Sequence, residues 1–190
     1  MDLVSSLRIQ ARANHLANRR LLLAVAELPG AEFAALRSSF FPSIARTLNH
    51  ILAVDEYYIG ALYGEPGLAA GYDAFVPARS AAELLPRQTL SDQRLIDWCG
   101  RLDAPGCDRS IDMDRGEHVQ RDLAGHVLAH LFMHQTHHRG QVHAMLSATP
   151  VPPPQLDEFL MPSDAKFRVA DMAALGWDEA SLYAPRMGHG

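Results

Sequence analysis

The segment HLFMHQTHHRGQVHAML, residues 130–146, carries five of the chain's ten histidines: His130, His134, His137, His138 and His143. Imidazole is the side chain most used to hold a transition metal or move a proton near neutral pH, and it is also an ordinary surface group. Spacing separates the two uses. Advancing each residue by about 100° around a helix with His134 as origin, Leu123, Val127, Leu131, Val142 and Met145 fall within an arc from about −20° to +120° and define a buried face. His138 lands inside that arc at about +40°, His130 and His137 lie on its edge at about −40° and −60°, and His143 points away. His134 and His138 are therefore core-facing and one turn apart, the i, i+4 spacing by which two imidazoles of one helix reach a single ion, as in the H-E-x-x-H helix of zinc proteases.

One helix rarely supplies a third ligand, so that ligand is expected from a neighbour. The segment around residues 42–63 contains a single histidine, His50, at the edge of an apolar stripe made by Ile44, Thr47, Ile51, Val54, Tyr58, Ala61 and Leu62. A lone helix histidine is more often packed than ligating. The pair on the later helix is the stronger signal, because two buried imidazoles without a shared partner would each need a hydrogen bond. Three neutral imidazoles suit zinc, nickel, iron or copper and leave positions open for water or substrate.

The elements that must position these residues are mostly helices. Leu3, Leu7, Ala11, Leu22 and Val25 recur at helical spacing until Leu28-Pro29-Gly30 ends the pattern. A second helix is expected over roughly 42–63, with Pro42 in its first turn and Gly64, Pro66 and Gly67 as terminators. A third begins at a capping box of Ser80 and Glu83 and is kinked or divided by Pro86. Two short alternating runs flank Asp114-Arg115-Gly116, a weak hairpin signal between the third and fourth helices. The fourth and most periodic helix spans about 123–147 and stops at the prolines of TPVPPP. A short helix over 164–175 and a loose tail complete the chain. The fold class expected is all-α, a four-helix bundle in one domain over 1–190, with a core of about 3–160 and an extension from 161.

Composition excludes other classes. A net charge of −5 and a pI near 6.0 provide no basic field for nucleic acid. Cys99 and Cys107 form neither a CxxC pair nor a disulfide framework, which points to a reduced, cytoplasmic setting. The N-terminal segment is interrupted by Arg8, Arg12, Arg19 and Arg20, so it offers no export signal, and no later run is long enough to span a membrane.

TLNHILAVDEYYIGAL, the later LAHLFMHQTHHRGQVHAML and the PPPQLDEFL that follows resemble the DinB family, also called DinB/YfiT-like, of bacterial four-helix proteins. The likeness runs from ANRRLL to about Leu160, and its most specific part is His130, His134, His138, Arg139, Gly140 and Gln141 together with Asn49 to Asp55. The resemblance implies a divalent metal held by His50, His134 and His138, the same three that the helical wheel selects. It also implies zinc or nickel as the ion, with iron or manganese as alternatives. Ala13 and Leu16 stand where the family often carries aromatic residues, and His137 stands where tyrosine is frequent.

Better-understood relatives are transferases and isomerases that use a low-molecular-weight thiol such as bacillithiol or mycothiol. The resemblance thus implies a thiol-dependent S-transferase or isomerase acting on a small electrophile. A metal-dependent hydrolase is the alternative, weakened by the lack of a glutamate beside the histidines; a non-enzymatic, stress-associated metal-binding protein is another. Behind the ligands, His130, His137 and Asp55 are the expected supporting groups, Asp55 by holding a ligand imidazole. Arg139 and Gln141 are assigned to the helix terminus or a subunit contact. Apolar surface on the first and fourth helices suggests a homodimer.

Overall fold

Asp2, Ser43 and Ser80 start three of the four long helices by accepting a backbone N–H three residues ahead, from Ser5, Arg46 and Glu83. The computed structural model describes residues 1–183. Within them the helices are α1 (Leu3–Ala26), α2 (Gly30–Ala34), α3 (Ile44–Tyr63), α4 (Leu68–Asp73), α5 (Ala81–Gly100), α6 (Ala104–Cys107), α7 (Ala124–Leu146), α8 (Val169–Leu175) and α9 (Glu179–Tyr183). Gly64 closes α3 at φ 71°, a left-handed conformation that side chains with a Cβ adopt at a cost. The Glu83 carboxylate returns to the Arg79 N–H at 2.8 Å, one residue before the cap, so the expected capping box forms in shifted register.

Several expected boundaries move. Pro42 precedes the Ser43 cap instead of entering the helix, and its carbonyl accepts from the Arg37 N–H at 2.9 Å. Pro86 does not divide the third helix: α5 runs unbroken from Ala81 to Gly100. The residues around it bury Leu84 and Gln88 against neighbouring helices, and that packing holds the segment helical despite one missing N–H. The weak hairpin signal forms as β1 (Ser110–Asp114) and β2 (Val119–Leu123), antiparallel, with Met113 opposite Gln120. Leu3 and Leu123 are exposed at helix ends, outside the buried stripes to which spacing assigned them.

The long helix α1 packs on α5 and α7, and α3 packs on the same two, so each of the four touches two others. Their interior is not uniformly apolar. One cluster gathers Leu7, Ala11, Tyr57, Leu95, Leu128 and Leu131. Another gathers Leu21, Val25, Ile44, Leu48, Leu84, Val142 and Leu146. Near the junction of these two clusters every long helix carries buried polar residues: Asn14, His15 and Asn18 on α1, Asp55 on α3, Gln88, Ser91 and Asp92 on α5, Gln135, His138 and Arg139 on α7. This layer crosses the middle of the helices, at the level from which His134 and His138 project.

Residues beyond 158 pack elsewhere. Phe159, Met172 and Leu182 bury against Ala13, Leu16 and Ala17 of α1, which makes a third apolar cluster. Arg168, fully buried, ties this extension together through Glu179, Tyr183 and the carbonyls of Glu158 and Met161. The expected short helix over 164–175 is split into a 3-10 turn, Pro162–Phe167, and α8. Part of the expected loose tail, including His189, lies outside the described residues. No helix among the described residues is long and apolar enough to cross a membrane.

Candidate metal centre

The α3 and α7 helices pack against each other, and this brings His50 to His134 and His138. The ring centroids of His134 and His138 stand 4.4 Å apart, those of His50 and His134 4.9 Å, and those of His50 and His138 4.7 Å. One nitrogen from each ring can be chosen so that all three lie within 4.8 Å of one another. His50 Nε2 and His134 Nε2 are 3.0 Å apart. Two nitrogens bound to one tetrahedral zinc stand about 3.4 Å apart. The donor set fits an ion: three nitrogens face a common point, and three are what an open zinc site takes from protein.

The imidazoles are also in the right protonation state. Burial pushes His50 down to about 4, with the His138 ring adding to the effect. Burial pushes His134 further, to about 3, and the His138 and His50 rings add to it. His138 is lowered by burial too, against a hydrogen bond from its own ring that favours the charged form. Near neutral pH all three offer a lone pair, which is what a metal requires.

That hydrogen bond runs from His138 Nδ1 to Gln141 Oε1 at 2.8 Å. It fixes the tautomer and leaves Nε2 free to ligate. The Gln141 amide in turn meets His137 Nε2 at 3.1 Å. Gln141 thus braces a candidate ligand, a role that replaces the helix terminus or subunit contact expected for it. Its place three residues after His138 was the available signal, since i and i+3 side chains meet on a helix. His134 receives no such brace: its Nδ1 is buried without a partner among the described residues.

The other expected supporting groups divide. His130 is exposed, with its ring 6.1 Å from that of His134 and 5.2 Å from that of Tyr58. His137 is exposed, and its ring lies 4.8 Å from that of His138. Asp55, expected to hold a ligand imidazole, points into the polar layer instead, where it accepts from Gln88 Nε2 at 2.7 Å. Burial first, and the nearby Asp92 second, hold its carboxyl well above the usual range. Arg139 belongs to the same layer and not to the surface. It donates to Asn14, Asn18 and Gln135, and burial brings its guanidinium down to about 10 while Asp92 and Asp55 oppose that shift. His15 of α1 is also in this layer, buried with Nδ1 3.0 Å from Asp92.

The triad forms one wall of a cavity of about 550 Å³. Phe40, Phe41, Val54, Tyr57, Tyr58 and Tyr72 supply most of its remaining surface, and Arg115 and Asp114 reach it from the hairpin. Phe41 packs on His50 at 4.3 Å and on His138 at 5.5 Å between ring centroids. A separate cavity of about 460 Å³ lies between α1, α7 and residues 155–160 and contains none of the three histidines.

Long helices whose neighbouring pair converge three neutral imidazoles on one point define a class: helical proteins with a site positioned to hold a metal ion. A family model for the DinB family matches residues 9–169, most of the chain. The protein belongs to the DinB family, a family that is metal-binding in general. Among curated proteins no sequence matches this chain.

Proposed function

We propose that the chain is a metal-dependent enzyme on a four-helix bundle, in which His50, His134 and His138 hold a divalent transition ion and a low-molecular-weight thiol is transferred to a small electrophile. The carrying observation is that the triad faces an aromatic-walled cavity of about 550 Å³, the size and character of a small-molecule site. Ligand type favours zinc or nickel over harder ions. Bound there, the ion would act as a Lewis acid that lowers the pKa of a thiol and favours the thiolate.

A second cavity, about 720 Å³, shares Phe41, His50 and Tyr72 with the first. Two chambers adjoining one candidate ligand support a reaction between two molecules. In the transfer, the thiolate sulfur forms a bond to an electrophilic carbon and the leaving group departs with its electron pair. In the related isomerisation the same carbon–sulfur bond forms and later breaks.

The test is to load the protein with zinc or nickel, supply a small electrophile with each of a panel of bacterial thiols, and follow thioether formation by mass spectrometry. Thioether that forms with wild type and not with the His134→Ala variant supports the reading. No reaction with any thiol, or ester hydrolysis that needs none, overturns it.

A further inference from the structure

The hairpin places one guanidinium, that of Arg115, at the triad's cavity, and among the described residues it forms no ion pair. Arg115 sits at the turn between β1 and β2, held from below by a 2.6 Å hydrogen bond from the Tyr57 hydroxyl to the Asp114 carbonyl. Gly116 makes the turn possible at φ 82°. The guanidinium lies over the rings of Tyr57 and Tyr58, 5.0 and 5.5 Å from their centroids. Its Nε donates to Gln120 at 3.1 Å and its Nη2 to the Tyr58 hydroxyl at 3.0 Å.

Those partners are neutral, and they occupy one edge of the fork. Nη1 has no hydrogen-bond partner among the described residues, and no described carboxylate lies within ion-pair distance of the group, although Asp122 attracts it from farther away. Asp73 and Asp114 line the same cavity, but the Asp114 carboxylate is turned to the Gly116 N–H at 2.8 Å. A planar cation fixed on two aromatic faces, with one edge unspent, is suited to bidentate recognition of a carboxylate. Apart from Asp73, Asp114, Gly116 and His130, the rest of the cavity wall is aromatic and aliphatic.

We propose that Arg115 is a substrate anchor, and that the site takes a flat, apolar molecule bearing a carboxylate, with the acid on Arg115 and the other end toward the triad. This deepens the enzyme reading, on which it rests for the meaning of the triad; anchoring by Arg115 itself needs no ion. The hairpin then sets substrate specificity.

The experiment compares calorimetric binding of 3-phenylpropanoate and 4-phenylbutanoate with that of their neutral amides. It uses wild type, Arg115→Ala and Arg115→Lys, each with zinc and after chelation. The expected result is that each acid binds wild type about tenfold or more tightly than its amide, the size of one charge-assisted contact. That preference persists without metal and is lost in Arg115→Ala, whose zinc content stays as in wild type. Arg115→Lys keeps the charge without the fork and retains part of the preference. Equal binding of acid and amide by wild type, or no binding of either, overturns the proposal. A preference that survives in Arg115→Ala and vanishes on chelation also overturns it, since the acid would then be a metal ligand. Loss of the triad reading would instead show as zinc content independent of the histidines, with the Arg115 preference intact.

Discussion

Replacing Gln141 with alanine removes the side-chain partner that His138 Nδ1 has among the described residues, a 2.8 Å bond, without touching any of the three imidazoles. Losing such a brace typically weakens metal binding by roughly 10- to 100-fold, or about 1.4–2.7 kcal/mol. Here the lower end is expected, near tenfold, because Gln141 is half-buried and water can reach the vacated position. The fold should change little, since Gln141 lies on a partly solvated helix face and such substitutions usually cost within about 0.5 kcal/mol. The assay is zinc affinity by competition with a chromophoric chelator at pH 7.5, beside a denaturant titration of the metal-free protein. His137→Ala is the control: it removes the group beyond Gln141 and leaves the brace intact, so its affinity should stay within about threefold of wild type. A Gln141→Ala affinity within twofold of wild type, with stability unchanged, would refute the idea that this amide orients a ligand.

Three further outcomes follow from the same contacts. Metal-free protein should lose stability as pH falls below about 6.5, where unfolded histidine gains a proton, until the folded His50 and His134 titrate at about 4 and 3. Denaturant midpoints at pH 7.5 and 5.0 check this, and a His50→Ala/His134→Ala protein should show the smaller loss; an equal loss contradicts it. Asp92→Ala removes one of the two acceptors of Asn18 Nδ2 and of Gln88 Nε2, takes away the partner of His15 Nδ1 and deprives the Arg139 guanidinium of its stronger counter-charge, which should cost about 3–5 kcal/mol in a urea titration. Arg168→Ala should loosen the segment around α8 and α9, seen as faster hydrogen exchange there, while zinc affinity stays at the wild-type value because the extension packs on α1 and not on the triad.

The candidate site was legible where one helix carried its own phase. His134 and His138 announce a shared face because both lie on α7, and spacing alone sets their directions. His50 needed a partner helix, and its stripe edge left it between packing and ligation until α3 and α7 came together. Asp55, Asp92, Gln88, Asn18, Gln135 and Arg139 could not be read as one layer, because a helix's own sequence does not show which neighbour its polar residues meet, and the bonds that join them mostly cross between helices. Pro86 misled for a related reason: local propensity marks a break, and tertiary packing of Leu84 and Gln88 overrides it. The hairpin was visible from Asp-Arg-Gly, yet nothing in that tripeptide shows that Arg115 would lie over Tyr57 and Tyr58, which are distant in sequence.

The central claim is that His50, His134 and His138 together hold one divalent ion. Its most direct test is metal content by inductively coupled plasma mass spectrometry on untagged wild type and on His50→Ala, His134→Ala and His138→Ala, with folding checked by circular dichroism. Near-stoichiometric metal in wild type that drops in all three folded variants is the expected result. A wild type that stays metal-free after reloading, or variants that keep the wild-type content, would contradict it.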